Sequence, residues 1–139
     1  MSSHYESVQT ASLYADAFHV EAPSQPVGHA VWPRQPGVFI RTAPAEEGAA
    51  VDKPVRELVA GQFGLVPRWV KSASDAKLRS TKLVNARSET VTTSNNFRDA
   101  WLAGQRCIVP MMAFLEDDWR SGKAVPTRIA RVDGKPMGV

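Results

Sequence analysis

The sequence predicts a β-rich α+β domain, and three observations predict it. Short apolar runs such as Val38-Phe39-Ile40 and Cys107-Ile108-Val109-Pro110 recur between stretches bearing Pro and Gly. Helical periodicity is confined to short segments near the margins. The 139 residues are one domain's worth of chain, and a hydrophobic content of 43% is enough to build a core. A charged fraction of 22%, with Val, Ile, Leu and Phe spread throughout, excludes a disordered chain.

Each element follows from local chemistry. Leu13, Tyr14, Ala17 and Phe18 fall at helical spacing, so Thr10 to Phe18 is expected to be a short amphipathic helix capped by Thr10 or Ser7. Pro23, Pro26, Pro33 and Pro36 with Gly28 make Glu21 to Pro36 an extended loop. Val38 to Ile40 is a strand, Ala43 to Pro54 a surface connection, and Glu57 to Val66 a second strand. In that strand Gly61 and Gly64 mark a bulge or a close backbone approach.

Pro67 to Asn85 is polar, basic and irregular. Asn96 is expected to cap a helix over Phe97 to Ala103, which Gly104 ends. Strands follow at Arg106–Pro110 and Ala113–Asp117. Asp133-Gly134 is a hairpin signal between Thr127–Val132 and Lys135–Val139. Because an apolar strand start closes the sequence, the natural protein is expected to continue past Val139, with residues 1–139 an incomplete single domain.

No run approaches the roughly 18 apolar residues of a membrane-spanning helix, and the N-terminus carries no signal-like flank, so a cytoplasmic protein is expected. The single cysteine, Cys107, excludes an internal disulfide and a multi-cysteine zinc site. Its apolar surroundings predict a buried strand position. Neither metal nor cofactor is expected. The net charge of +3 permits an anionic partner.

Three segments carry candidate chemistry, each with a plain structural alternative. Arg68, Lys71, Lys77, Arg79, Lys82 and Arg87 face one acid, Asp75, beside Trp69. Cations for phosphates and an indole for stacking suit a single-stranded nucleic-acid groove; the alternative is a solvated basic loop with Trp69 folded inward. In Asn85-Ala86-Arg87-Ser88-Glu89-Thr90, an extended backbone puts Asn85, Arg87 and Glu89 on one face. That face meets a polar ligand, or simply a cross-strand ion pair. Glu116, on the same face as Phe114, is either a carboxyl raised by burial and able to move protons, or part of the acidic turn with Asp117 and Asp118.

Taken in order, these segments resemble the SOS-response-associated peptidase (SRAP) family. Its Asn-Val-Ala-Pro-like loop is similar to Ala30-Val31-Trp32-Pro33, and its Trp-Gly-Leu-Ile-Pro-x-Trp strand end to Phe63-Gly64-Leu65-Val66-Pro67-Arg68-Trp69. The Asn-Ala-Arg-x-Glu-Thr block is matched by Asn85 to Thr90, with Phe97-Arg98-Asp99-Ala100 after it. Cys107-Ile108-Val109-Pro110 and Phe114-Leu115-Glu116 match the final strand pair.

The resemblance implies mixed sheets folded into a pseudo-barrel with short peripheral helices, and a partner in single-stranded DNA carrying abasic sites. It implies that, after Met1 is removed, the N-terminal residue links covalently to the abasic sugar, with family-type autopeptidase activity. Asn85 and Glu116 would orient and move protons, Arg87 would hold phosphate, and Pro33 and Trp69, with Arg68 and His4, would shape the groove. Nucleoid association when bound to DNA follows from the same resemblance.

The family begins Met-Cys-Gly-Arg; this chain begins Met1-Ser2-Ser3-His4. A hydroxyl at Ser2 is a far weaker nucleophile than a thiol, and His4 replaces a constant cation by a switchable one. Met111-Met112-Ala113 stands for Ala-Asp-Gly, and the family's later His has no counterpart before Val139. Three expectations therefore stand side by side. One is an enzyme making an imine at abasic sites. The second is a non-catalytic DNA or protein binder. The third is an N-terminal-nucleophile hydrolase using Ser2.

Overall fold

The computed structural model describes residues 3–44 and 54–139. Ser2 and most of the Ala43–Pro54 connection lie outside the described residues. The strands are β1 (His4–Ser7), β2 (Ala30–Val31), β3 (Pro36–Thr42), β4 (Arg56–Gln62), β5 (Pro110–Asp118), β6 (Val125–Ala130) and β7 (Met137–Gly138). The helices are α1 (Ala11–Phe18), α2 (Ala73–Ser80) and α3 (Arg98–Leu102). This is the expected α+β class.

β1 is central to the larger sheet because its period-two pattern alternates buried Tyr5 and Ser7 with half-buried His4 and Glu6. The order is β2-β1-β5-β6, and β7 also pairs with β5. The register sets His4 opposite Leu115 and Tyr5 opposite Phe114, then shifts at Glu6/Ser7. The second sheet is the β3–β4 pair, from Pro36 opposite Gln62 to Thr42 opposite Arg56. Ile40 and Ile108 join the two sheets by a reciprocal backbone bridge of 2.7 and 2.8 Å. Every pairing among the described residues is antiparallel, so the sheets are not mixed; the larger one has β2 and β6 at its ends.

Two apolar clusters hold these layers. Val8, Tyr14, Val20, Val38 and Ile40 pack α1 onto β3, and the Tyr14 hydroxyl donates to the Val8 carbonyl at 2.7 Å. Tyr5, Val31 and Met111 form the other cluster, with Phe63 edge-on to Tyr5 at 5.1 Å. Gly37 lies beneath the Tyr5 ring: a Cβ there would sit 2.5 Å from the hydroxyl.

Several expectations are corrected. The basic stretch Pro67–Asn85 is not wholly irregular, since α2 forms in it. Ser72 caps that helix by accepting from the Asp75 amide, and Arg79 pairs with Asp75 one turn earlier. Asn85–Thr90 is not a strand. The amides of Thr90 and Val91 both donate to the Arg87 carbonyl, which closes a turn after Arg87 and takes Glu89 out of alternation with Asn85 and Arg87. Arg106–Val109 is not a strand of its own; Ile108 bridges to Ile40 of β3, and Val109 exchanges backbone bonds with Val139, just past β7.

Cys107 is therefore exposed rather than a core strand residue, although neighbouring protein pushes its thiol upward in pKa. β6 and β7 do not form a hairpin with each other. Met111 pairs with Ser7 on one side and Met137 on the other, so β7 continues the β6 edge of β5. The Asp133-Gly134 turn between them is an excursion, pinned by Asp133 accepting from Arg131 and from the Lys135 amide. Phe97, not Asn96, occupies the N-cap of α3.

Candidate nucleic-acid interface

The start of β1 positions one group of candidate residues. The Ser3 amide donates to the Leu115 carbonyl at 3.1 Å, one position out of the β1–β5 register that pairs His4 with Leu115, and so holds the chain start one residue from Glu116. Glu116 is half-buried, faces the Tyr5 and Phe114 side of the sheet, and has Thr127 of β6 as its other neighbour. His4 points to the opposite face and stacks on Trp32, with ring centroids 3.7 Å apart and planes at 14°. Pro33, half-buried, follows in a turn fixed by the Arg34 amide to the Phe63 carbonyl at 2.7 Å and the Phe63 amide to the Gln35 carbonyl at 3.0 Å.

Phe63 links this group to a second one at the end of β4. Beyond it, the Leu65 amide donates to the Leu83 carbonyl at 2.9 Å, so the segment leading to Asn85 runs beside the strand end. Pro67 is buried and Arg68 exposed. Trp69 is 43% exposed, so the indole is not folded inward. Its Nε1 donates to the Asn95 carbonyl at 3.1 Å, and the Arg79 guanidinium lies 4.6 Å from the ring centroid. Asn85 is half-buried and Arg87 exposed.

The structure thus gathers His4, Pro33 and Glu116 about the chain start, and Arg68, Trp69 and the Asn85 segment about the β4 end. A cavity of about 690 Å³ is lined by Tyr5, Phe63, Leu83 and Cys107, among others; Asn85 and Glu116 are not in its lining. Arg79 is among the groove cations expected from the sequence, whereas Asn95 and Trp32 are not singled out there; nothing local signals Asn95 as an anchor for Trp69.

Two acids near the candidate residues are paired. Asp75 is engaged by Arg79, and Glu6 is held by Arg128 through Nε at 3.0 Å and Nη2 at 2.7 Å. That contact keeps the Glu6 carboxyl below its usual range. Among the described residues no cluster of three His, Cys, Asp or Glu side chains is placed to hold a metal ion. No helix is long and apolar enough to cross a membrane.

The family of this arrangement is settled by the whole chain. The model of the SOS response associated peptidase (SRAP) family matches residues 1–139. The chain belongs to the SRAP family.

Two named relatives match parts of this SRAP chain. The abasic site processing protein HMCES of Gallus gallus is 33% identical over 75 residues, 54% of this chain and 22% of that protein. The abasic site processing protein YoaM of Bacillus subtilis (strain 168) is 39% identical over 71 residues, 49% of this chain and 28% of that protein. A crystal structure of a Bordetella bronchiseptica protein superposes with a TM-score of 0.78 at 39% identity, covering 99% of this chain and 61% of that one. A Bacteroides thetaiotaomicron protein shares the fold, with a TM-score of 0.68 at 23% identity, covering 97% of this chain and 56% of that one. The chain therefore spans about a quarter of the length of the named relatives and about three-fifths of the solved ones.

Proposed function

We propose that this chain binds single-stranded DNA at abasic sites and that, once Met1 is removed, the Ser2 α-amine condenses with the ring-opened sugar aldehyde. The observation that carries the reading is the bond from the Ser3 amide to the Leu115 carbonyl, one residue from both Ser2 and Glu116. An exposed, anchored indole at Trp69 beside Arg68 and Arg79 supports a groove for bases and phosphates. HMCES and YoaM, both named as abasic site processing proteins, support the substrate class.

The chemistry balances without a cofactor. The amine lone pair attacks the aldehyde carbon, the nitrogen loses protons, and the former carbonyl oxygen leaves as water to give an imine. Glu116 donates a proton to the departing hydroxyl, and Asn85 orients the sugar. The Ser2 hydroxyl then closes a ring poorly, because it is scarcely ionised near neutral pH.

Ser2 itself favours a second reading, a relative that keeps the groove and has lost the covalent step. Ser2→Cys separates the two. On abasic single-stranded DNA it is expected to give a denaturant-stable adduct, and Glu116→Gln in that background to slow its formation by roughly 10²–10⁴-fold. Binding of abasic DNA by Ser2→Cys with no adduct would leave the second reading standing.

A further inference from the structure

We propose that Trp32, stacked on His4, is a platform for a nucleobase flanking the abasic position, and that Arg34 beside it holds a backbone phosphate. The inference rests on the single-stranded DNA reading and names a second contact zone for it. His4 and Trp32 stand where the family blocks have Arg and Ala, and these two replaced side chains are the pair that stack. With the imidazole 3.7 Å from one face, Trp32 remains 46% exposed, so the indole keeps an open surface for a second ring.

The platform is fixed before any ligand arrives. The Trp32 amide donates to Gln35 Oε1 at 2.9 Å, and the Gln35 amide returns to the Trp32 carbonyl at 3.0 Å. Pro33 occupies the second position of this four-residue turn. Arg34 occupies the third with φ of +73°, the pattern of a type II turn, in which that position suits Gly or Asn. A long cationic side chain is held there against its backbone preference. Arg34 is exposed and, among the described residues, its side chain makes no ion pair or hydrogen bond.

Location and field agree with this occupant. His4 is opposite Leu115, so the stack lies next to the chain start at Ser3, on the face of the sheet away from Glu116. The carboxylate on the His4 face, Glu6, is neutralised by the two-pronged Arg128 contact and does not repel a phosphate. An aromatic face beside a cation is the chemistry that holds single-stranded bases in sequence-tolerant fashion, with larger purines gaining more contact than pyrimidines.

The test uses the whole chain and a short oligothymidine with a central tetrahydrofuran abasic analogue, flanked on either side by adenine or cytosine. The parent is expected to prefer the adenine flank. Trp32→Ala is expected to weaken binding by roughly 5- to 150-fold and to abolish that preference, with Trp32→Phe intermediate. Arg34→Gly is expected to leave thermal stability unchanged or raised, while flattening the dependence of log affinity on log salt by about 0.7. Loss of binding with no loss of stability is an outcome that a purely structural turn cannot give. If the parent binds the oligonucleotide and both Trp32→Ala and Arg34→Gly bind it equally well, the platform is overturned while the DNA reading stands. If the parent binds no single-stranded DNA, both fall, and the face belongs to a protein partner instead.

Discussion

Replacing Gly64 by alanine should cost this fold about 3 kcal/mol, and the reason lies in how α2 meets the end of β4. Gly64 has φ of +121°, outside the left-handed helical basin that other residues visit. A Cβ there would fall on the Ser80 carbonyl oxygen, with the Ser80 carbonyl carbon at 3.0 Å and its Cβ at 3.2 Å. Ser80 cannot step aside. It is fully buried, accepts from Gln62 Nε2 at 2.9 Å, and its carbonyl receives the Leu83 amide at 3.3 Å. Strain of about 1–3 kcal/mol and overpacking of similar size share one relaxation, so their sum is an upper limit.

With urea m-values of about 1–3 kcal/mol/M, the midpoint should fall by roughly 1–3 M. Gly122→Ala is the control, because φ is +82° there but a Cβ meets nothing within 4 Å. A midpoint shift for Gly64→Ala no larger than that of Gly122→Ala would refute the close approach. Since α2 carries Arg79 over Trp69, the same substitution should also weaken DNA binding.

Other outcomes follow from the same contacts. Trp69→Ala should weaken single-stranded DNA binding by roughly 5- to 150-fold in fluorescence anisotropy, and unchanged affinity would remove the indole from the groove. Burial pushes Tyr5 up to about 12 and raises Tyr14, the two tyrosines of the chain. The stability that neutral Tyr5 contributes is thus full below about pH 10 and lost as pH rises through 12. A spectrophotometric titration should show the Tyr5 step displaced well above pH 10 while the fold persists, and two ordinary steps at pH 10 would contradict the burial of the rings. Glu6 is held low by Arg128, so its contribution is present above the usual carboxylate range and fades as pH falls through its depressed value. Arg128→Ala should flatten that acid limb in melting temperatures taken from pH 3 to 6.

Periodic segments were legible in the sequence, and segments ruled by specific bonds were not. Thr10–Phe18 and Val38–Ile40 lie on α1 and β3 because their apolar spacing alone decides which face is buried. α2 escaped notice because it is polar all round; its signature is the Ser72 cap and the Asp75–Arg79 pair, not an apolar stripe. The Asn85 block was read as extended because alternation is visible in letters, whereas the turn depends on the Arg87 carbonyl. Cys107 reads as a core residue from its neighbours, but only Ile108 of that run bridges to β3. For the site, the order of blocks pointed to Trp69, Asn85 and Glu116. That the Ser3 amide reaches the Leu115 carbonyl, next to Glu116, depends on a β1–β5 pairing across more than 100 residues, which no local pattern contains.

The most direct test of the account is the intact mass of the Met1-free parent protein after incubation with abasic single-stranded DNA and borohydride. An N-terminal imine predicts a reduced adduct whose mass equals protein plus oligonucleotide minus water plus two hydrogens, mapped by peptide analysis to Ser2. It should be absent without borohydride after denaturation, and absent with an intact oligonucleotide. Unmodified protein under conditions where abasic DNA is demonstrably bound would contradict the covalent claim and leave a binding protein.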